Sequence, residues 1–350
     1  MASTPNYLWP TPDDTDPVGD GALDMRTLAN AIDASLLSNP NAGLRNRLIN
    51  GSMEFWQRGT TAVTTDQTYS ADRFIVQRAI STISVTRAAV APNAVTPGII
   101  KYATAYTVTA GGTAPSYAVL AQRIEDVGTL AGQTVTVSFY AYAFAANLEI
   151  ACSMQQNYGT GGAPSANVEV LAYTARKTSS LSTTTFNRYS FSFNVPSING
   201  KTRGTNNNDY LALLIWLDAG SNFNTQTGTL GPQTGTFYIT GVQVEQGPGA
   251  STFEERFRQV EFALCQRYYY AGATAIPMAV DQAGTPGAGR YVYVAFPTMS
   301  RNDTPTVTGT TALGAATIYN RTAVGASFSR NTAGPSIGID LQSWTVSNEL

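Results

Sequence analysis

The chain has 350 residues, 43% hydrophobic and only 13% charged, with 21 Lys+Arg against 23 Asp+Glu, a net charge of −2 and no histidine. An average soluble domain carries about 25% charged residues. Without histidine there is no Ser-His-Asp triad, Cys-His pair, HExxH zinc site or histidine-ligated haem, and the near-even charge gives no general attraction to duplex nucleic acid.

In chain order, residues 1–44 open with turn chemistry. Pro5, Pro10, Pro12 and Pro17 surround Asp13-Asp14-Thr15-Asp16, a density that excludes strand and helix. From Asp20-Gly21 a helical pattern begins. Met25, Leu28, Ile32 and Leu36 fall at i, i+3, i+7 and i+11, a single apolar stripe. Asp20 and Asp24 sit where carboxylates favour the helix dipole, and Asn39-Pro40-Asn41-Ala42-Gly43 ends the pattern. A short helix with one apolar stripe and no partner nearby in sequence must dock elsewhere. It docks on the body of the chain, on another protein or on copies of itself; of these, self-association or docking to a larger assembly is the expectation for residues 1–44.

Residues 45–252 read as β. In Thr134 to Ala143, Val135, Val137, Phe139, Ala141 and Ala143 share one face, and Thr134, Thr136, Ser138, Tyr140 and Tyr142 the other. Tyr189, Phe191, Phe193 and Val195 alternate likewise. Leu211 to Leu217 is apolar on both faces, as in a central strand. Further strands are expected at Arg73–Arg78, Ile83–Arg87, Lys101–Thr109, Tyr117–Ile124, Leu148–Met154, Val168–Tyr173 and Phe237–Val244. Short strands separated by Gly, Pro and Asn predict a mainly β chain, an antiparallel sandwich or jelly roll.

Residues 253–350 form the third region. Phe253, Phe257, Val260 and Leu264 have helical spacing over 253–267. A small β subdomain follows, with Arg290–Phe296 and Thr304–Val307 its clearest strands. The two cysteines, Cys152 and Cys265, form no CxxC and are read as isolated thiols, with pairing left open.

Five stretches, in order, carry identity. They are Leu48-Ile49-Asn50-Gly51-Ser52-Met53-Glu54-Phe55-Trp56-Gln57-Arg58-Gly59, Tyr69-Ser70-Ala71-Asp72-Arg73-Phe74, and Gln122-Arg123-Ile124-Glu125-Asp126-Val127 leading to Leu130–Phe139. Gln156-Asn157-Tyr158-Gly159-Thr160-Gly161-Gly162 follows. The last is Gly241-Val242-Gln243-Val244-Glu245-Gln246-Gly247 with Phe253-Glu254 and Ala263–Tyr269. Together they resemble phage tail and virion proteins with a carbohydrate-binding-module-like jelly roll. The segment Pro12–Gly21, with Arg26-Thr27-Leu28, resembles the attachment and trimerisation segment of phage fibre proteins. The resemblance implies a homotrimeric virion component, held to tail or capsid proteins through residues 1–44, with host surface polysaccharide as a further partner. A capsid, collar or adaptor part without glycan binding, and a polysaccharide-degrading enzyme, stand as alternatives.

A glycan face needs rings for stacking and amides for hydrogen bonds. The residues nominated are Tyr140 and Tyr142, with Trp216 and Gln122 as neighbours; core or interface roles are the competing reading. Asn50, Glu54 and Glu245 are hard-oxygen candidates for a structural calcium, against salt-bridge or turn roles, and no cofactor is expected. Catalysis on sugars needs paired carboxylates. Glu54, Glu125, Asp126, Glu169, Asp218 and Glu245 show no pairing by spacing, so a non-enzyme is expected. The N-terminus has no basic and apolar export signal. The longest apolar run, Phe139 to Ala146, is far short of the roughly 20 residues of a membrane helix. The expected location is a virion assembled in the host cytoplasm.

Overall fold

The computed structural model describes residues 2–3, 9–12, 15–38, 44–91, 96–272, 276–277, 279–280, 289–295, 305–311, 314–322, 325–331, 340–347 and 349. Strands β1 (Ala2–Ser3) and β2 (Pro10–Thr11) pair antiparallel, Ser3 opposite Pro10. This corrects the expectation that the prolines exclude any strand. A two-residue ladder accepts proline at a position that donates no hydrogen bond. Helix α1 (Gly21–Ser38) follows. Its stripe is only partly as expected: Leu28 and Ile32 are half-buried, but Met25 is 70% exposed and Asp24 is buried instead. The side chain of Leu36 and the terminator Asn39–Gly43 lie outside the described residues.

The body is built from β3 (Thr68–Tyr69), β4 (Ile75–Ala79), β5 (Thr82–Ala89), β6 (Tyr102–Thr109), β7 (Tyr117–Glu125), β8 (Thr134–Ala143), β9 (Ala151–Asn157), β10 (Val168–Leu171), β11 (Asn187–Asn194), β12 (Tyr210–Ala219) and β13 (Gly235–Gln246). They form two antiparallel sheets, ordered β10-β9-β12-β7-β4-β3 and β11-β8-β13-β6-β5. From β6 to β13 the chain alternates between the sheets, β9 and β10 staying together, which is a jelly-roll path. The alternation seen in sequence decides which side chains meet. Val135, Val137, Phe139, Ala141 and Ala143 of β8 are all fully buried and join Leu211, Leu213, Ile215 and Leu217 of β12 in one core between the sheets. Each large side chain so buried contributes about 1.5–3 kcal/mol.

A short helix α2 (Asn224–Thr227) lies in the β12–β13 connection, and α3 (Arg258–Gln266) follows β13. The expected helix over 253–267 thus begins later. Phe253 is buried in an extended segment, while Phe257 (82%) and Val260 (46%) are exposed. The buried face of α3 is held by polarity rather than by an apolar stripe. Glu261 accepts the Asn50 backbone N–H and pairs with Arg256, and Cys265 packs beside it fully buried.

Beyond α3, β14 (Tyr269–Gly272), β15 (Ile276–Pro277), β16 (Ala279–Val280), β17 (Gly289–Ala295), β18 (Thr306–Thr311), β19 (Gly314–Ala315), β20 (Thr317–Thr322), β21 (Gly325–Asn331) and β22 (Asp340–Ser347) make two smaller sheets. Their order is β14-β22-β18-β19, with β15 also on β22, and β16-β17-β21-β20. Val294, Val307, Phe328, Leu341, Trp344 and Val346 form a second core. Expected strand residues Phe296 and Thr304 lie outside the described residues.

Side chains in and beside the ordered motifs converge on a buried polar frame. Asn46 Oδ1 accepts from the N–H groups of Leu48 and Val244, and its Nδ2 donates to Val242 O. Asn50, at φ 61°, accepts from Phe55 N–H and donates to the carbonyls of Phe55 and Asp72. Arg256 donates to Leu48 O and Asn46 O. Each side chain substitutes for a backbone partner where the chain leaves its ladder. Cys152 and Cys265 are both buried and free.

Candidate functional site

The outward residues of the six-stranded sheet line an open groove. On β7 the even residues Ala118, Leu120, Gln122 and Ile124 point into the core, while Tyr117, Val119, Ala121 and Arg123 line the groove, Val119 and Ala121 being themselves buried at its base. On β12 the odd residues fill the core, and Tyr210, Ala212, Leu214 and Trp216 face outward. The register sorts these into rows across the strands. In one, Gln77 lies opposite Val119 and Val119 opposite Trp216. In the other, Arg123, Ala212, Gln155 and Glu169 follow one another across β7, β12, β9 and β10. The rows are four residues apart, about 13 Å at roughly 3.3 Å per residue. Ala121 and Leu214 form a low floor between them.

One wall is aromatic. Tyr117, Trp216 and Phe223 are in mutual ring contact, with centroids 5.1–6.1 Å apart. Trp216 is 5% exposed, and its indole N–H donates to Ser153 Oγ at 2.9 Å, which fixes the ring plane. Burial, then the Asp66 charge, pushes the Tyr117 phenol above its ordinary 10.0, so it stays a neutral donor. The facing wall is polar. Gln155 donates to Glu169, and Arg123 lies 5.0 Å over the Tyr210 ring and donates to Gln67 at 3.2 Å. Desolvation raises the Glu169 carboxyl, and the Gln155 amide pulls it back. Gln226 also lines the groove, and its Oε1 is a buried acceptor without a hydrogen-bond partner. Glu169 is the one carboxylate among the lining residues.

The nominated residues divide between the two sheets. Trp216 is in the aromatic wall. Gln122 sits on the opposite side of its strand, buried, with Oε1 accepting Ile49 N–H at 2.8 Å and Nε2 donating to Ile49 O at 2.9 Å. Its amide is consumed in tying the opening segment to β7. Tyr140 and Tyr142 belong to the outer face of the five-stranded sheet, away from Trp216. The expectation that Tyr140 is displayed is corrected. It is 7% exposed, beneath Val90, Ile100, Phe186 and Phe253. Its ring abuts Gly241, whose φ of 60° at the β13 bulge leaves no space for a Cβ. Tyr142 is half-buried and stacks on Tyr238 at 4.4 Å, beside Phe144.

The calcium candidates do not share a centre. Asn50 is spent on backbone groups, Glu54 pairs with Arg258 at 2.7 Å, and Glu245 binds Ser251. Among the described residues no group of three or more Cys, Asp or Glu is placed to hold a metal ion. A second cleft, beside α3, carries the carboxylates Glu54, Glu254, Glu255 and Glu261 and the cations Lys101, Arg256 and Arg258, with Arg256 paired to Glu254 and Glu261 and Arg258 to Glu54. Sequence reasoning missed Tyr117, Phe223, Tyr210, Arg123, Gln155, Glu169 and Gln226. The available signal was the second, outward alternation on β7 and β12. No helix among the described residues is long and apolar enough to cross a membrane.

Neither a family model nor a curated protein matches the sequence. Among solved structures, the chain is similar to the enzymatically active domain of tailspike protein 4 of bacteriophage CBA120, at 16% identity over 58% of this chain, with a TM-score of 0.29. That likeness spans 22% of the tailspike chain. It is also similar to the CBM22-1 xylan-binding domain from Paenibacillus barcinonensis (12% identity, 59% of this chain, 96% of that one, TM-score 0.28). A third is a family 11 carbohydrate-binding module from Clostridium thermocellum (9%, 56% and 99%, TM-score 0.30). Likenesses this loose carry no argument; the mainly β, antiparallel sandwich stands on this chain's own strand pairing.

Proposed function

We propose that this chain is a non-enzymatic, glycan-binding component of a bacteriophage tail or fibre. The observation that carries the binding reading is the groove, with an aromatic wall facing a row of amides and charges across the apolar floor of Ala121 and Leu214. Sugar rings present apolar C–H faces to aromatic rings and hydroxyls to amides and carboxylates. The open groove admits an extended chain lying across the strands, with the Gln77, Gln155 and Gln226 side chains among its lining. Hydrolysis by paired carboxylates needs a second acid beside Glu169, and the lining residues supply none.

The virion assignment rests on the resemblance of the ordered motifs, with residues 1–44 as the attachment arm. In this reading 45–252 is the display sandwich, 253–350 a helix and terminal β subdomain, and α1 contributes to a homotrimer. Leu23 and Met25 on α1 are exposed, as a contact surface requires. Several weak grooves on one particle then gain avidity without strong single contacts.

A polysaccharide array that includes xylan and mixed-linkage β-glucan, probed with the wild-type chain and Tyr117→Ala, tests the groove through the ring that touches both Trp216 and Phe223. Binding that falls about tenfold or more in the variant, the effect of losing a central aromatic contact, supports it. Equal binding refutes it. Release of reducing ends from any bound polysaccharide would establish the enzymatic alternative instead. Deleting 1–44 and finding the protein still on purified particles would refute the attachment arm. A protein that stays on particles yet binds no array glycan points to the purely structural alternative.

A further inference from the structure

The β4–β7 ladder ends at Ile75 opposite Ala121. The carbonyl of Arg123, two residues further along β7, therefore has no β4 amide to accept from. Arg73 supplies the donor. Its backbone turns off the strand line at φ 71°, and its Nη2 donates to Arg123 O at 2.7 Å. The Arg73 guanidinium is 2% exposed and lies 3.5 Å over the Tyr268 ring. Its charge is met by Glu349. One carboxylate oxygen of Glu349 accepts from Arg73 and the other from Arg58 at 3.0 Å. Arg58 in turn lies 3.7 Å over Tyr269.

Glu349 follows β22, Tyr268 precedes β14 and Tyr269 opens it, and β14 is paired with β22. The C-terminal sheet thus reaches the sandwich through a carboxylate set between two arginines. Without that carboxylate, Arg73 is a buried charge lacking its counter-ion, a strongly unfavourable state. Relief requires the guanidinium to move toward water, which removes the donor from Arg123 O.

We propose that Glu349, acting through Arg73, is a positioning residue for the groove. It holds the end of β7, and with it the Arg123 side chain of the polar wall, so the C-terminal sheet is coupled to the groove. The consequence for ligand binding rests on the glycan reading; the mechanical coupling does not.

The test uses the full chain as wild type, Glu349→Gln and Glu349→Ala. Hydrogen exchange is followed in peptides covering 117–125 of β7 and 134–143 of β8, without ligand. Glu349→Gln keeps the shape and removes the charge. Exchange at the end of β7 is expected to rise about tenfold, with β8 unchanged. In Glu349→Ala, sodium formate should restore protection that sodium chloride at equal ionic strength does not. Unchanged exchange in β7, an equal rise in β8, or equal rescue by chloride would overturn the coupling. A second arm measures retardation in a gel containing mixed-linkage β-glucan. Wild type retarded and Glu349→Gln less so supports the consequence for binding. Equal retardation overturns it. A wild type that runs free counts against the groove reading with that glycan alone, while the exchange arm still decides the coupling.

Discussion

Replacing Asn50 by alanine removes one amide from the polar frame of the sandwich. The side chain is fully buried and makes three hydrogen bonds, with Phe55 N–H at 3.0 Å, Phe55 O at 2.9 Å and Asp72 O at 3.1 Å. Phe55 O keeps the Asp72 N–H at 2.9 Å, so the variant strands two backbone groups rather than three. Each costs about 1–3 kcal/mol when left unpaired. Asn50 also sits at φ 61°, where alanine adds about 1–2 kcal/mol that asparagine offsets by local bonding. The sum is about 3–8 kcal/mol, against a total stability of about 5–15 kcal/mol for a typical domain. Asn50→Gly loses the same bonds without the backbone penalty, so it should be the milder variant by about 1 kcal/mol. Urea unfolding followed by tryptophan fluorescence reports on the sandwich through Trp56 and Trp216, both buried there. A loss under 1 kcal/mol for Asn50→Ala, or glycine no better than alanine, would refute the reasoning.

Two further outcomes follow from buried ionisable groups. Burial, its largest influence, raises the Asp72 carboxyl above 3.8, while the Gln57 amide and backbone N–H and the Arg58 charge pull it back. In the window above 3.8 the folded state holds more protons than the unfolded one, so this group's contribution to stability falls as pH rises through it. Asp72→Asn should remove that component from the urea midpoint measured between pH 3.5 and 7; an unchanged profile contradicts the assignment. Burial likewise pushes the Cys152 and Cys265 thiols upward. Neither should react with a thiol reagent at pH 8 until urea unfolds the chain, and prompt labelling of the native protein would contradict the burial.

Where a strand has one core-facing row, its sequence is readable. On β8 the inward row, Val135, Val137, Phe139, Ala141 and Ala143, alternates and is buried throughout, while the outward row is also covered at Thr136, Ser138 and Tyr140. Ambiguity begins where both faces are covered. Tyr140 has the same alternation as an exposed ring, yet residues near 90, 100, 186 and 253 close over it, and no local pattern announces a cover from so far along the chain. The groove was obscured for the opposite reason. Its residues span 77 to 226, one or a few per strand, and only the pairing register sets Arg123 beside Gln155 and Glu169. Leu211 to Leu217 looks apolar on both faces, which signals a central strand but not that one face is open. The ordered motifs were legible as a resemblance; their physical work, fixing backbone groups between the opening segment, α3 and β14, required the contacts.

Residue-by-residue NMR titration of the full chain with the best-binding array oligosaccharide tests the central claim most directly. The account predicts saturable shifts at the Trp216 indole N–H, the Gln155 and Gln226 amides and the backbone of 117–123, with Tyr142, Phe144 and Tyr238 unmoved. Shifts confined to that second aromatic face, or none at the groove when ligand is bound, would contradict it.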